Sequence, residues 1–155
     1  MGEILAALEA SGVAEWARNA RWGYAMLNGT HILGVALLVG AMVPLNLLRI
    51  GLKAGVSQEA AARILVPCAA AGLCLAIATG AVMFASRAGE YAGLMVFQTK
   101  IVLIVVGTGG ALVLNLWYGW RMTRARASVQ RHHALWSLFL WLVVLYLGRS
   151  IAFVG

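Results

Sequence analysis

Apolar residues fall into four runs along this chain, Gly23–Leu48, Ile64–Ser86, Leu94–Tyr118 and Ala134–Val154, separated by short polar connections. Each run reaches the roughly 20 residues that an α-helix needs to cross a bilayer. Their uninterrupted hydrophobicity suits helices that meet lipid on one side and other helices on the other. The pattern predicts an all-α integral membrane four-helix bundle. The four spans occupy residues 21–155, so a single domain is expected.

Residues 1–20 follow a different pattern. Ile4, Leu5, Leu8, Val13 and Trp16 can share one side of a helix, leaving Glu3, Glu9 and Glu15 for the other. That arrangement predicts an interfacial amphipathic helix lying on the membrane, broken near Ser11-Gly12. The opening "MGEILAALEASG" carries acids in place of a basic n-region, so a cleaved signal peptide is not expected.

Composition supports the same solvent. Only 11% of the residues are charged, against about a quarter in an ordinary soluble domain. The net charge of +7 resides mostly in the connections. Arg49, Lys53 and Arg63 flank the first, and Arg121, Arg124, Arg126 and Arg131 the third. The opposite side has Arg18, Arg21 and Arg87. The positive-inside rule then places both termini outside and the two basic loops in the cytoplasm of a bacterial inner membrane. Basic loops at a membrane meet anionic lipid, and nothing in the pattern points to nucleic acid. Cys68 and Cys74 lie inside the second span without CxxC spacing and read as packing residues.

Depth singles out a few polar side chains. His31 lies about nine residues into span one, roughly 13 Å at 1.5 Å per residue. Lys100 lies about six residues into span three, and Arg149 about five before the end of span four; all three fall in the outer half. Asn28 shares a helix face with His31, as Tyr146 does with Arg149, and Tyr24 extends the first stripe. Cys68, Gly72, Ala76 and Thr79 form a small-residue stripe suited to close helix contact. The five carboxylates, Glu3, Glu9, Glu15, Glu59 and Glu90, all lie outside the four runs. The intramembrane cations therefore reach for headgroups, meet Glu15 or Glu90 folded over them, or hold an external anion.

Several stretches carry a resemblance. "YAMLNGTHILGVALLVGAMVPLNLLRIG", "GAVMFASRAGEYAGLMVFQTKIVL" and "LYLGRSIAFVG" resemble a family of small bacterial four-helix membrane proteins of unassigned function. His31-x-Leu33-Gly34, Phe97-x-x-Lys100 and Gly148-Arg149-x-Ile151-Ala152 carry the match. Where that family has an Asp and then a late third-span Asn and His, this chain has Asn46, Gly110 and Asn115. The family is in turn similar to copper-resistance D membrane proteins and to HemJ-type protoporphyrinogen oxidases. The HemJ-type resemblance implies a haem or porphyrin site built on the first-span His and the Lys. The copper-resistance resemblance implies copper handling at the outer face.

The residues leave several functions open. Haem b would take His31 as an axial ligand, with Lys100 and Arg149 neutralising propionates. A quinone headgroup would use the same donors. Two cations with Asn28, Tyr24 and Tyr146 suit small-anion binding or transport by a homodimer. Met26, Met83 and Met95 map near His31 and suit copper, although methionines also fill irregular apolar contacts. An accessory subunit of a larger membrane complex is a fourth class. His132 and His133 lie at the cytoplasmic edge, far from His31, and read as residues of a basic loop beside a helix start. No nucleophile–base pair, phosphate-cradling Gly loop or acid cluster points to a hydrolase or kinase.

Overall fold

A computed structural model of the protein describes residues 2–154, the side chains of Ala152 and Val154 excepted. Ala152 of the Gly-Arg-x-Ile-Ala match is therefore outside the described side chains. The chain is all-helical, in the order α1 (Gly2–Glu9), α2 (Gly12–Asn19), α3 (Gly23–Ile50), α4 (Gln58–Ser86), α5 (Ala88–Gly93), α6 (Met95–Tyr118), a short 3-10 turn (Trp120–Met122) and α7 (Ala127–Val154). Four of these helices, α3, α4, α6 and α7, are long and apolar enough to cross a membrane.

Two of the long helices start earlier than their apolar runs. Ser57 caps α4, its hydroxyl accepting from the Ala60 N–H at 3.2 Å, and Glu59 sits in the first turn. Both features favour the positive end of a helix, so the polar residues before Ile64 join the helix. At the far end of α3, Gly51 takes φ 123° and donates to the carbonyls of Leu47 and Leu48. That backbone conformation favours glycine and stops the helix.

The long helices pack in the spatial order α4, α3, α7, α6. The tightest crossing is between α3 and α4. A Cβ on Gly72 would lie 2.6 Å from the Leu38 amide nitrogen, and one on Gly34 would lie 2.7 Å from that of Ala76. Two bare glycines thus let the backbones touch, as the small-residue stripe predicts. Beside the crossing, Leu38, Ala41 and Ala69 form a buried cluster against which Met42, Leu65, Cys68, Leu73 and Trp141 pack. Helix α6 rests on α7, with Leu140 set against Gly107, and contributes no buried residue of its own.

Both ends of this row are closed by short segments. At the end holding the termini, Phe84 of α4 stacks on Phe97 of α6 with ring centroids 5.1 Å apart, and Tyr91 of α5 adds to the stack at 5.8 Å. Burial, with the Tyr24 hydroxyl beside it, pushes the Tyr91 phenol above the ordinary tyrosine range.

The N-terminal segment folds as two helices broken at Ala10-Ser11. Ala14 and Ala17 are its covered residues, while Ile4, Val13 and Trp16 remain exposed. Arg18 ties the segment down by donating to the carbonyls of Ser86 (3.0 Å) and Glu9 (2.7 Å). These are carbonyls at helix C-termini, where a cation is favoured. Glu9 in turn accepts from the Gly89 N–H at 2.8 Å.

Candidate functional site

The Gly34–Gly72 crossing sets the distance between α3 and α4, and one turn further toward the terminal end it brings His31 against Thr79. The His31 Nδ1 and Thr79 Oγ1 are 3.0 Å apart. The Thr79 hydroxyl donates to the Leu75 carbonyl at 2.6 Å, leaving its oxygen to accept. The imidazole therefore carries its proton on Nδ1 and presents Nε2 as a lone pair. The Ala76 carbonyl, a second acceptor, also faces the ring. Gly80 makes room for the imidazole, since a Cβ there would lie 3.2 Å from Cε1. No hydrogen bond reaches Nε2 among the described residues.

Lys100 comes from the other side. Its Nζ lies 3.1 Å from where a Cβ on Gly148 would be, so the amine rests on a bare patch of α7. The ammonium is near enough to His31 for its charge to bear on the ring. Among the described residues Lys100 forms no ion pair. Glu90 pairs with Arg87 at 3.4 Å and Glu59 with Arg63 at 2.7 Å, both at the surface. Glu9 is committed to Gly89, and Glu15 is exposed. None of the four folds over the pair.

The remaining predicted residues are distributed differently. Asn28 is half-buried on the His31 side of α3, and Tyr24 lies beside Tyr91 above it. Arg149 and Tyr146 are exposed, and the Arg149 guanidinium sits 4.9 Å from the centroid of the Phe153 ring. Gly148, one position earlier, is what faces Lys100. The structure thus places Lys100 within electrostatic reach of His31 and leaves Arg149 on the outer surface of α7, held over an aromatic face. Met26 and Met95 are also exposed. No group of three or more His, Cys, Asp or Glu side chains able to hold a metal ion occurs among the described residues.

A second polar cluster occupies the opposite end of the bundle, and sequence reasoning missed it. Asn46 is fully buried and donates to the Ser137 hydroxyl of α7 at 3.1 Å. One turn on, Arg49 is 9% exposed and donates to the Arg121 carbonyl at 3.2 Å. Its charge bears on His133 of α7, whose Nδ1 is buried without a partner. Asn115 closes the cluster from α6 by accepting from the Arg121 N–H at 2.7 Å. The signal was present in the spacing. Asn46 and Arg49 are three apart, and His133 and Ser137 four apart, so each pair shares one helix face.

The Asn46–Ser137 bond links α3 to α7 within the apolar layer. Ser137→Ala leaves the buried Asn46 amide without its acceptor, and we expect a loss of about 1 kcal/mol. Unfolding in a mixed-detergent titration measures it. Asn46→Leu on top of Ser137→Ala should cost less than the two single changes added together.

In comparisons with family models, curated proteins and solved structures, nothing matches this chain. The functional reading therefore rests on the residues themselves.

Proposed function

We propose that this chain is a bacterial inner-membrane protein that binds an amphiphilic redox cofactor, haem b, at His31 and Lys100 in the outer half of the bilayer. The reading includes both termini outside, the basic loops against anionic lipid, and residues 1–20 at the interface with Ile4, Val13 and Trp16 toward lipid. It also keeps the resemblance to four-helix haem and copper membrane proteins as a proposal. The observation that carries it is the imidazole held by Thr79, with no hydrogen bond to Nε2 and no ion pair to Lys100 among the described residues, and the Lys100 ammonium within electrostatic reach of the ring.

The donor set fits the group in kind. A neutral imidazole with its other nitrogen hydrogen-bonded is the form that ligates iron, and the second bond fixes the tautomer and ring orientation. Lys100 would hold one propionate by a charge-assisted bond. When bound, haem would supply one-electron redox chemistry. The chain's own contribution is to orient Nε2, compensate an anionic edge and exclude water below the Phe84–Phe97–Tyr91 stack.

The test is an absorption spectrum of protein purified in mild detergent after haem-supplemented expression. A Soret band that shifts on reduction is expected, and its absence ends the haem reading. Thr79→Val should keep the fold and weaken haem binding about 10- to 100-fold, the usual effect of removing the residue that orients a ligand. Haem titration of the purified variant measures this.

A second reading, a quinone headgroup, is favoured by the single imidazole at this depth. Nε2 would accept from a quinol hydroxyl while Lys100 donates to the other ring oxygen. A preparation without a Soret band but with stoichiometric extractable quinone selects it.

A further inference from the structure

The cluster at the loop end contains a cavity that the His31 site does not use. It measures about 270 Å³ and is lined by Arg49, Gln58, Glu59, Ala62, Arg121, Thr123 and Gln130. Two arginines therefore line one half-open pocket. Arg49 is nine-tenths buried, and its one hydrogen bond among the described residues goes to a neutral carbonyl. Arg121 has its Nε buried without a partner.

Burying a guanidinium is costly unless a counter-charge or a full set of acceptors meets it. The carboxylate at this cavity, Glu59, is on the rim and engaged by Arg63 at 2.7 Å. Arg49 is therefore buried without a carboxylate of its own among the described residues.

Backbone strain points to the same place. Arg121 and Met122 adopt φ 67° and 59°, left-handed values that non-glycine residues rarely take. Such a residue is strained and persists only where its surroundings enforce it. Here Asn115 takes the Arg121 N–H, Arg49 takes its carbonyl, and Gln130 takes the Met122 carbonyl at 3.0 Å. Three side chains from α3, α6 and α7 hold a two-residue turn that places Arg121 at the cavity wall. The hydroxyl of Thr123 adds a neutral donor, while the Gln58 amide donates to the Leu48 carbonyl at 3.0 Å.

We propose that this cavity is a phosphate-binding site in which Arg49 and Arg121 together grip a phosphate oxyanion. Guanidinium forks match phosphate oxygens in geometry and charge, and a phosphate accepts from several donors at once. The neutral lining supplies hydrogen bonds without repelling the anion, while Glu59 at the rim pairs with Arg63 and also lies within reach of the Arg121 charge. The phosphate has two sources at this depth, an anionic lipid headgroup or a free phosphate compound. This site lies at the opposite end of the bundle from His31, so its test is independent of the cofactor reading.

The experiment uses the full chain in a neutral detergent, with chloride held at constant ionic strength. Inorganic phosphate is titrated against thermal unfolding, and phosphatidylglycerol in mixed micelles against native mass spectrometry. A saturable rise in melting temperature with inorganic phosphate assigns a free phosphate. Retention of one phosphatidylglycerol per chain over phosphatidylcholine, with no effect of inorganic phosphate, assigns the lipid headgroup. In either case Arg121→Gln should weaken binding about tenfold or more, the loss of one charged bidentate contact. Arg49→Lys keeps the buried charge and the fold but should also weaken binding by losing the fork. Binding that is unchanged in folded Arg121→Gln and Arg49→Lys, or no response to either probe, overturns the proposal.

Discussion

Gly72→Leu separates α3 from α4 and lowers stability by about 3 kcal/mol or more, the largest loss expected from any single substitution in the bundle. Even a methyl group at this position would meet the Leu38 amide nitrogen at 2.6 Å, the Gly34 carbonyl at 2.7 Å and the Leu37 Cβ at 2.9 Å. Two of these atoms are backbone, so no rotamer change relieves the clash. The helices must move apart, and the contacts of Leu38, Ala41 and Ala69 loosen with them. Mixed-detergent unfolding followed by circular dichroism measures the loss. Gly110→Ala is the control, because nothing lies within 4 Å of a Cβ there. It should be neutral or stabilising by up to about 1 kcal/mol, the ordinary helix preference for alanine. If Gly72→Leu unfolds no more easily than Gly110→Ala, the close crossing is wrong.

His31→Ala should abolish cofactor absorbance while leaving the bundle folded. The imidazole is half-buried and makes one side-chain hydrogen bond, to Thr79. The Thr79 hydroxyl retains its own acceptor on Leu75, so the cut leaves no stranded donor. A stability loss of about 1 kcal/mol is expected. Added imidazole should enter the vacated space beside Gly80 and restore part of the Soret band, a recovery that a general folding defect would not allow. Lys100→Gln should keep the band and lower haem affinity about tenfold, through loss of a charge-assisted bond. Full absorbance in His31→Ala would remove His31 as the ligand.

Hydropathy made the spans legible because a membrane helix satisfies its own backbone and leaves side-chain polarity to mark depth. The stripe of Cys68, Gly72, Ala76 and Thr79 also carried over, since small residues four apart have few roles besides close approach. Depth placed His31 and Lys100 in one layer, but it did not give azimuth. Arg149 shares that depth, yet each residue turns a helix by about 100°, and Gly148 is the one that meets Lys100. The loop-end cluster was hidden for a different reason. Asn46 and Arg49 looked like the end of a span, and His133 and Ser137 like the start of another. Their meeting depends on α3 packing beside α7, a tertiary fact. The turn at Arg121 is hidden more deeply, because its left-handed backbone is enforced by distant side chains and not by a glycine at those positions.

The bond between His31 and Thr79 also has a direction. Thr79 has one proton, committed to the Leu75 carbonyl at 2.6 Å, and its oxygen can only receive from the ring. The hydrogen bonds that run from Nδ1 along α4 end in a main-chain carbonyl. Nε2 is left as the ring atom open to a further proton, and it is the same atom the proposed cofactor would use. A ligand on Nε2 and a second proton on the ring would therefore compete for the same atom.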